Sequence, residues 1–499
     1  MAEGSDNKTP HSLGRVFLSG INAVAVAWSM RVIGLISVLI MARLLTPEDF
    51  GMVALAMATL AVIDIFSAVG LRQALLRTRN PDRSHYDTVW TIQLALLTVL
   101  ALLLVIIAPA AAALYDEPEL TLVIIILSSR FIFFGLTNIG ILAFERNLEF
   151  GRDMRFRVAV RMLTFVITVS AAFYLRNYWA LVIGAVLQSL FHAIGSYIVH
   201  PYRPRFSLVK RAEMLGVSGW MFLAAAAQVI HHQTERLVVG RIADMHFVGI
   251  YSVAKDLSSI FTQEIATALN RVTFVTTAQS DQSLQSDPRA LSSIVGAYAL
   301  IAGALGFGLA ATAKDAVPVL LGEQWIMAVP FLQLVAPTAA LYAVHKAVVS
   351  TLQASGHARA AAFLSLAGAG MTIGAIMLVI YSGGQPLDIA KAALIVGIVL
   401  IMADMITLGT IARTPIIPLM LAVIRPFAAA LVMLVSLQVL TIDLGSSFLN
   451  LATATALGAM IFIGTVSFLW AISGRPRGAE AQISVLIKGF IKSGQRRPT

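Results

Sequence analysis

The chain has 499 residues, of which 58% are apolar and only 12% charged, with a mean hydropathy of +0.84. That balance excludes a soluble globular domain and points to an all-α, polytopic membrane protein. Lys and Arg total 36 against 26 Asp and Glu, a net charge of +10, and the lack of cysteine excludes a disulfide framework and thiolate metal sites.

At about 20 apolar residues per crossing the length accommodates roughly 12–16 transmembrane helices, and about fourteen segments qualify. After a polar, cytoplasmic start at 1–19, six segments at 20–42, 52–70, 89–107, 120–142, 158–174 and 179–198 form a first lobe, 20–198. The first of them is longer than a signal-peptide core and is interrupted by Arg31, so it reads as a retained helix. A basic cytoplasmic loop at 199–214 leads to a second six-helix lobe, 215–412, with segments at 215–238, 248–268, 294–313, 330–352, 360–380 and 390–411. Two extra helices, 424–440 and 449–471, fill 413–471, and a basic cytoplasmic tail takes 472–499.

With the N-terminus inside, alternate loops collect Arg72, Arg83, Arg146, Arg203, Lys210, Arg359, Arg413 and the tail's basic residues. The other loops hold only Arg43, Arg176, Arg241 and Lys314, a bias of about six to one. Both termini are therefore expected in the cytoplasm, in a cell inner membrane. The basic charges lack the aromatic interleaving of a nucleic-acid surface, so no nucleic-acid partner is expected. Outer loops are short, and no glycine-rich phosphate loop, HExxH or GxSxG occurs. These features point to a transporter rather than an enzyme, with no cofactor, driven by a proton, Na+ or the membrane potential.

Function turns on charges inside apolar segments. Arg31, Arg130, Lys255 and Lys346 each cost about 2.5–3.5 kcal/mol there unless a wet cavity, an acid or an anionic ligand offsets them. Arg31 shares a helical face with Ala23, Ala27 and Gly34, small residues that leave room around it. Ser252, Lys255, Asp256, Ser259, Thr262, Gln263, Ala266 and Asn270 fall within a wedge of about 120°, the pattern of a water-facing wall or of polar contacts between packed helices. Arg130 suits bidentate phosphate binding or a bridge to Asp64, and Lys346 either a headgroup or the interface. Asp64, Asp256, Glu264 and Asp404 are candidates for ion coupling or charge pairing. Arg161, Arg236 and Lys391 lie nearer helix ends, where snorkelling or gate pairing is expected; Pro337 is expected either to kink its helix so that the lobes can rock or simply to shape packing.

An internal repeat joins the lobes. Arg43 precedes the stretch Gly51 to Ala56 as Arg241 precedes Gly249 to Ala254, which predicts parallel repeats related by a pseudo-two-fold axis, with Arg43, Glu235, Arg236 and Arg241 as gate or lobe contacts. The stretch from Ala42 through Leu45, Pro47 and Phe50 to Gly51 resembles the signature of the polysaccharide transporter branch of the multidrug/oligosaccharidyl-lipid/polysaccharide superfamily. Phe144 to Phe150, Gly240 with Arg241, and Leu321 to Trp325 resemble further stretches of that branch, whereas Glu235 stands where the family commonly has aspartate. The resemblance implies a Wzx-type flippase that carries polyprenyl (undecaprenyl) pyrophosphate-linked oligosaccharide to the outer leaflet by alternating access, for exopolysaccharide, capsule or O-antigen synthesis. Arg31, Lys255, Arg130 and Lys346 would bind the pyrophosphate. The implied partners are the lipid-linked glycan, membrane lipids, a polysaccharide polymerase and glycosyltransferases. A drug antiporter of the same superfamily and a membrane polymerase are the alternatives.

Overall fold

The computed structural model describes residues 32–67, 71–78, 80–146, 150–214, 219–279, 288–440, 443–476 and 480–481. The architecture is all-α, with no strand among the described residues. Chain contacts divide it into two compact units. Unit 1 comprises residues up to Leu45 and Thr59–Ser218, and unit 2 comprises Thr46–Ala58 with Gly219 onward.

Unit 1 holds α1 (Val32–Leu44), the end of α2 (Pro47–Asp64), α3 (Leu71–Arg77), α4 (Arg83–Tyr115), α5 (Glu119–Gly135), α6 (Leu142–Arg146), α7 (Phe150–Leu175), α8 (Trp179–Val199) and α9 (Arg211–Met214). At about 1.5 Å per residue the 33 residues of α4 run about 50 Å, more than an apolar core of about 30 Å. Its first turns carry Arg83, His85 and Asp87 ahead of the apolar run, and a capping box between Asp82 and His85 fixes where the helix starts. The segment after α8 is strapped along this end. Tyr202 Oη and the Arg205 amide both donate to Asp87 at 2.7 and 2.8 Å, and the Asn138 amide donates to the Tyr202 carbonyl at 2.7 Å. His85 Nε2 meets Glu213 at 3.0 Å, and hydrogen bonds from Lys210 and His85 hold the Glu213 carboxyl below its ordinary range.

Unit 2 holds the start of α2, then α10 (Gly219–Ile242), α11 (Met245–Gln279), α12 (Pro288–Ala311), α13 (Ala313–Leu320), α14 (Ala328–Ala354), α15 (Ala358–Tyr381), α16 (Pro386–Ala412), α17 (Ile416–Val439) and α18 (Ser447–Ile472). α14 lies at the centre, with the apolar side chains of Val344, Val348 and Leu352 packed on Tyr298 and Ala302 of α12 and Met405 of α16. It continues as a helix through Pro337.

Ten helices among the described residues are long and apolar enough to cross a membrane. Of the other predicted crossings, three fall on α5, α10 and α11, and α1 takes up 32–42 of the first, whose earlier residues lie outside the described ones. α10 and α11 carry several ionisable residues within their spans, which separates them from the uniformly apolar helices.

The repeat glycines meet inside unit 2. A Cβ added to Gly51 would land on the Met245 carbonyl, and one added to Gly249 on the Pro47 carbonyl. Gly51 and Gly249, Pro47 and Met245, and Glu48 and His246 each stand 198 residues apart, so the contact pairs equivalent positions of the repeat. His246 Nδ1 meets Glu48 at 2.6 Å between them. Only glycine allows two backbones this close.

Candidate functional site

A polar site lies inside unit 2, where α10, α11, α14 and α16 surround a small, water-sized recess. On α11, Tyr251 and Lys255 are one turn apart and project from one face. Both reach Glu235 of α10: Tyr251 Oη and Lys255 Nζ each donate to its carboxylate at 2.5 Å. Lys255 also donates to the His232 carbonyl at 2.8 Å. Beside this pair, Arg236 of α10 is salt-bridged to Asp256 of α11. Two adjacent residues on each helix thus form a quartet of alternating charge that sums to zero.

Across the recess, α14 presents Thr338, Tyr342 and His345 at helical spacing. The Tyr342 ring stacks on His231 at 4.8 Å between centroids and lies 5.5 Å from His345. His231 Nδ1 also meets the Thr372 hydroxyl of α15 at 2.7 Å. His345 Nδ1 lies 3.0 Å from both carboxylate oxygens of Asp404 on α16, with side-chain exposures of 3% and 0%. Ala393 and Gly397 of α16, one turn apart, leave the space open.

Unit 1 holds two inward arginines. Arg130 of α5 approaches the Ser189 hydroxyl of α8 at 3.5 Å and lies within the electrostatic reach of Asp64, whose carboxylate accepts from Ser67 at 2.6 Å. Arg161 of α7 donates to Gln188 of α8 at 2.9 Å, and its guanidinium borders Gly34 of α1. Each guanidinium thus reaches a polar side chain of α8, and each offers paired N–H donors of the kind that bind phosphate oxygens.

The residues singled out in the sequence are distributed as follows. Lys255, Glu235, Arg236 and Asp256 come together in the quartet, and Asp404 stands across the recess with His345. Lys346 is exposed on α14, and near enough to His232 to act on it electrostatically. Arg43 and Arg241 are exposed at their helix ends. Arg31 and the side chain of Glu264 lie outside the described residues. Tyr251, Tyr342, His345 and Arg161 were not assigned to a ligand or ion-coupling site from the sequence. The available signal was the Glu-Arg doublet of α10 followed by the Lys-Asp doublet of α11, four charges in consecutive apolar segments that need one another.

Comparison with known proteins agrees with the motifs. The model of a family described as polysaccharide biosynthesis protein matches residues 40–330. The succinoglycan biosynthesis transport protein ExoT of Rhizobium meliloti is 27% identical over 443 residues, 86% of this chain and 87% of its own. The lipopolysaccharide biosynthesis protein WzxC of Escherichia coli is 23% identical over 358 residues, 69% of this chain and 71% of its own. Among solved structures, the lipid II flippase MurJ in an inward closed conformation superposes with a TM-score of 0.71 at 12% identity, covering 91% of this chain and all of that one. An inward-facing multidrug resistance MATE transporter superposes at 0.55 with 16% identity, covering 85% of this chain and all of that one. These two likenesses concern the fold.

Proposed function

The chain belongs to the polysaccharide biosynthesis protein family, and on that premise we propose that it is a flippase for a polyprenyl-pyrophosphate-linked oligosaccharide, moved from the cytoplasmic to the outer leaflet of the inner membrane. The similarity to a succinoglycan transport protein along 86% of the chain carries this reading. The chain is a multi-pass membrane protein with cationic groups inside its helices, as a doubly anionic headgroup requires.

In this reading Arg130 and Arg161 of unit 1, with Arg31, take the pyrophosphate by charge-assisted hydrogen bonds, while the lipid tail stays in the bilayer. Lys346 offers an exposed positive charge, and Lys255 becomes available only when Glu235 releases it. Glycosyltransferases act before the transport step and a polymerase after it, and both termini face the cytoplasm.

The test is leaflet protection in liposomes containing the purified protein and labelled polyprenyl-pyrophosphate glycan. Wild-type protein is expected to move label to the protected leaflet. Arg161→Ala is expected to slow it by about ten- to a hundredfold, as for loss of one hydrogen bond to a charged group worth about 1.5–3 kcal/mol. Undiminished movement in Arg161→Ala removes that residue from the site, and new glycosidic bonds in the product would replace transport with polymerisation.

A further inference from the structure

Two ion pairs share the recess of unit 2, and they differ in kind. Lys255 and Glu235 have additional partners in Tyr251 and the His232 carbonyl. His345 and Asp404 form a buried pair in which one ring nitrogen faces both carboxylate oxygens. With a proton on each ring nitrogen the pair is neutral overall; with one fewer it carries a net negative charge among apolar side chains. Such a pair holds or releases a single shared proton as a unit.

The surrounding groups define which cation fits. Among the described residues, the titratable groups that line the recess beside the pair are His231, His232 and Glu235 of α10, Tyr251 and Lys255 of α11, and Tyr342 of α14, with the Arg236–Asp256 salt bridge next to them. Hard alkali and alkaline-earth cations take shells of oxygen ligands. Here the Asp404 oxygens face an imidazole, further imidazoles line the recess, and the nearest carboxylate across it already holds an ammonium. Imidazoles and a carboxylate next to a water-sized space suit a proton.

We infer that the His345–Asp404 pair is a buried proton-binding site, reached through the recess of unit 2, and that the ion exchanged for the glycan lipid is a proton and not sodium. The exchange with the glycan lipid rests on the flippase reading above; the proton site does not. Binding forms an N–H or O–H bond within the pair, and release returns that proton to water entering the recess. Tyr342, stacked between His231 and the pair, separates it from Glu235, so a change at the Lys255–Glu235 pair alters the field at the proton site without touching it.

Two measurements separate this inference from the flippase reading. In the first, purified protein in detergent, with no glycan, is taken through a pH step and proton uptake is read with an indicator dye. Wild-type protein is expected to take up about one proton more than the double variant Asp404→Asn with His345→Gln, in which neither member of the pair can titrate, checked for an unchanged thermal unfolding midpoint. Equal uptake by wild type and the folded double variant overturns the site, whatever the protein transports. In the second, glycan-lipid movement in liposomes is driven by an imposed pH gradient, a sodium gradient or a potassium-diffusion potential in turn. The pH gradient is expected to accelerate wild type by about tenfold and to leave the double variant unaffected, with sodium without effect. Acceleration by sodium overturns the choice of ion. Normal uptake with no glycan movement under any gradient leaves the proton site standing and removes the flippase reading.

Discussion

Glu235 and Lys255, with side chains 6% and 9% exposed, hold each other's charge among packed helices. Removing one partner leaves the other uncompensated, a cost of about 3–5 kcal/mol for a buried pair, whereas removing both with similar volume approaches neutrality. Glu235→Gln and Lys255→Met are each expected to lower the unfolding midpoint in detergent, and the double variant to recover most of it; additive losses would mean that the pair is not coupled. This scale is also where sequence says least. Lys255 in an apolar run shows that something must offset its charge, but both a pyrophosphate and an acid one helix away satisfy that demand, and only the packing of α10 against α11 supplies Glu235. Tyr342 and His345 were still less legible, because aromatic and histidine side chains at helical spacing also describe an ordinary packed face.

At the scale of elements, hydrophobic runs and punctuation were enough. Ten of the predicted crossings fall on described helices long and apolar enough to cross a membrane, because a backbone in lipid must satisfy its polar groups internally. The repeat read around Gly51 and Gly249 was legible as a spacing; that the two copies touch was not, since spacing carries no orientation. The contact has a direct test in a chain without cysteine. Glu48→Cys with His246→Cys is expected to join α2 to α11 through a short bis-maleimide, the native side chains meeting at 2.6 Å. Gly51→Ala should sharply reduce that yield, because its Cβ meets backbone that cannot swing aside. An unchanged yield would show that the helices separate readily there.

For the whole molecule, charge bias along the loops predicts sidedness, which helix packing by itself does not encode. Ser382→Cys, after α15, should react with an impermeant maleimide from outside intact cells, and Ser473→Cys, after α18, only once the membrane is opened; the reverse pattern would invert the topology. The quartet on α10 and α11 bears on how such a molecule is made. Each helix alone brings unmatched charges into lipid at about 2.5–3.5 kcal/mol apiece near the centre. Joined by the short turn at Ala243 and Asp244, the two can match Glu235 with Lys255 and Arg236 with Asp256 before any other helix arrives. The hairpin is then the natural unit of insertion during synthesis, and a ribosome that has delivered α10 but not yet α11 holds the least membrane-compatible intermediate of this part of the chain.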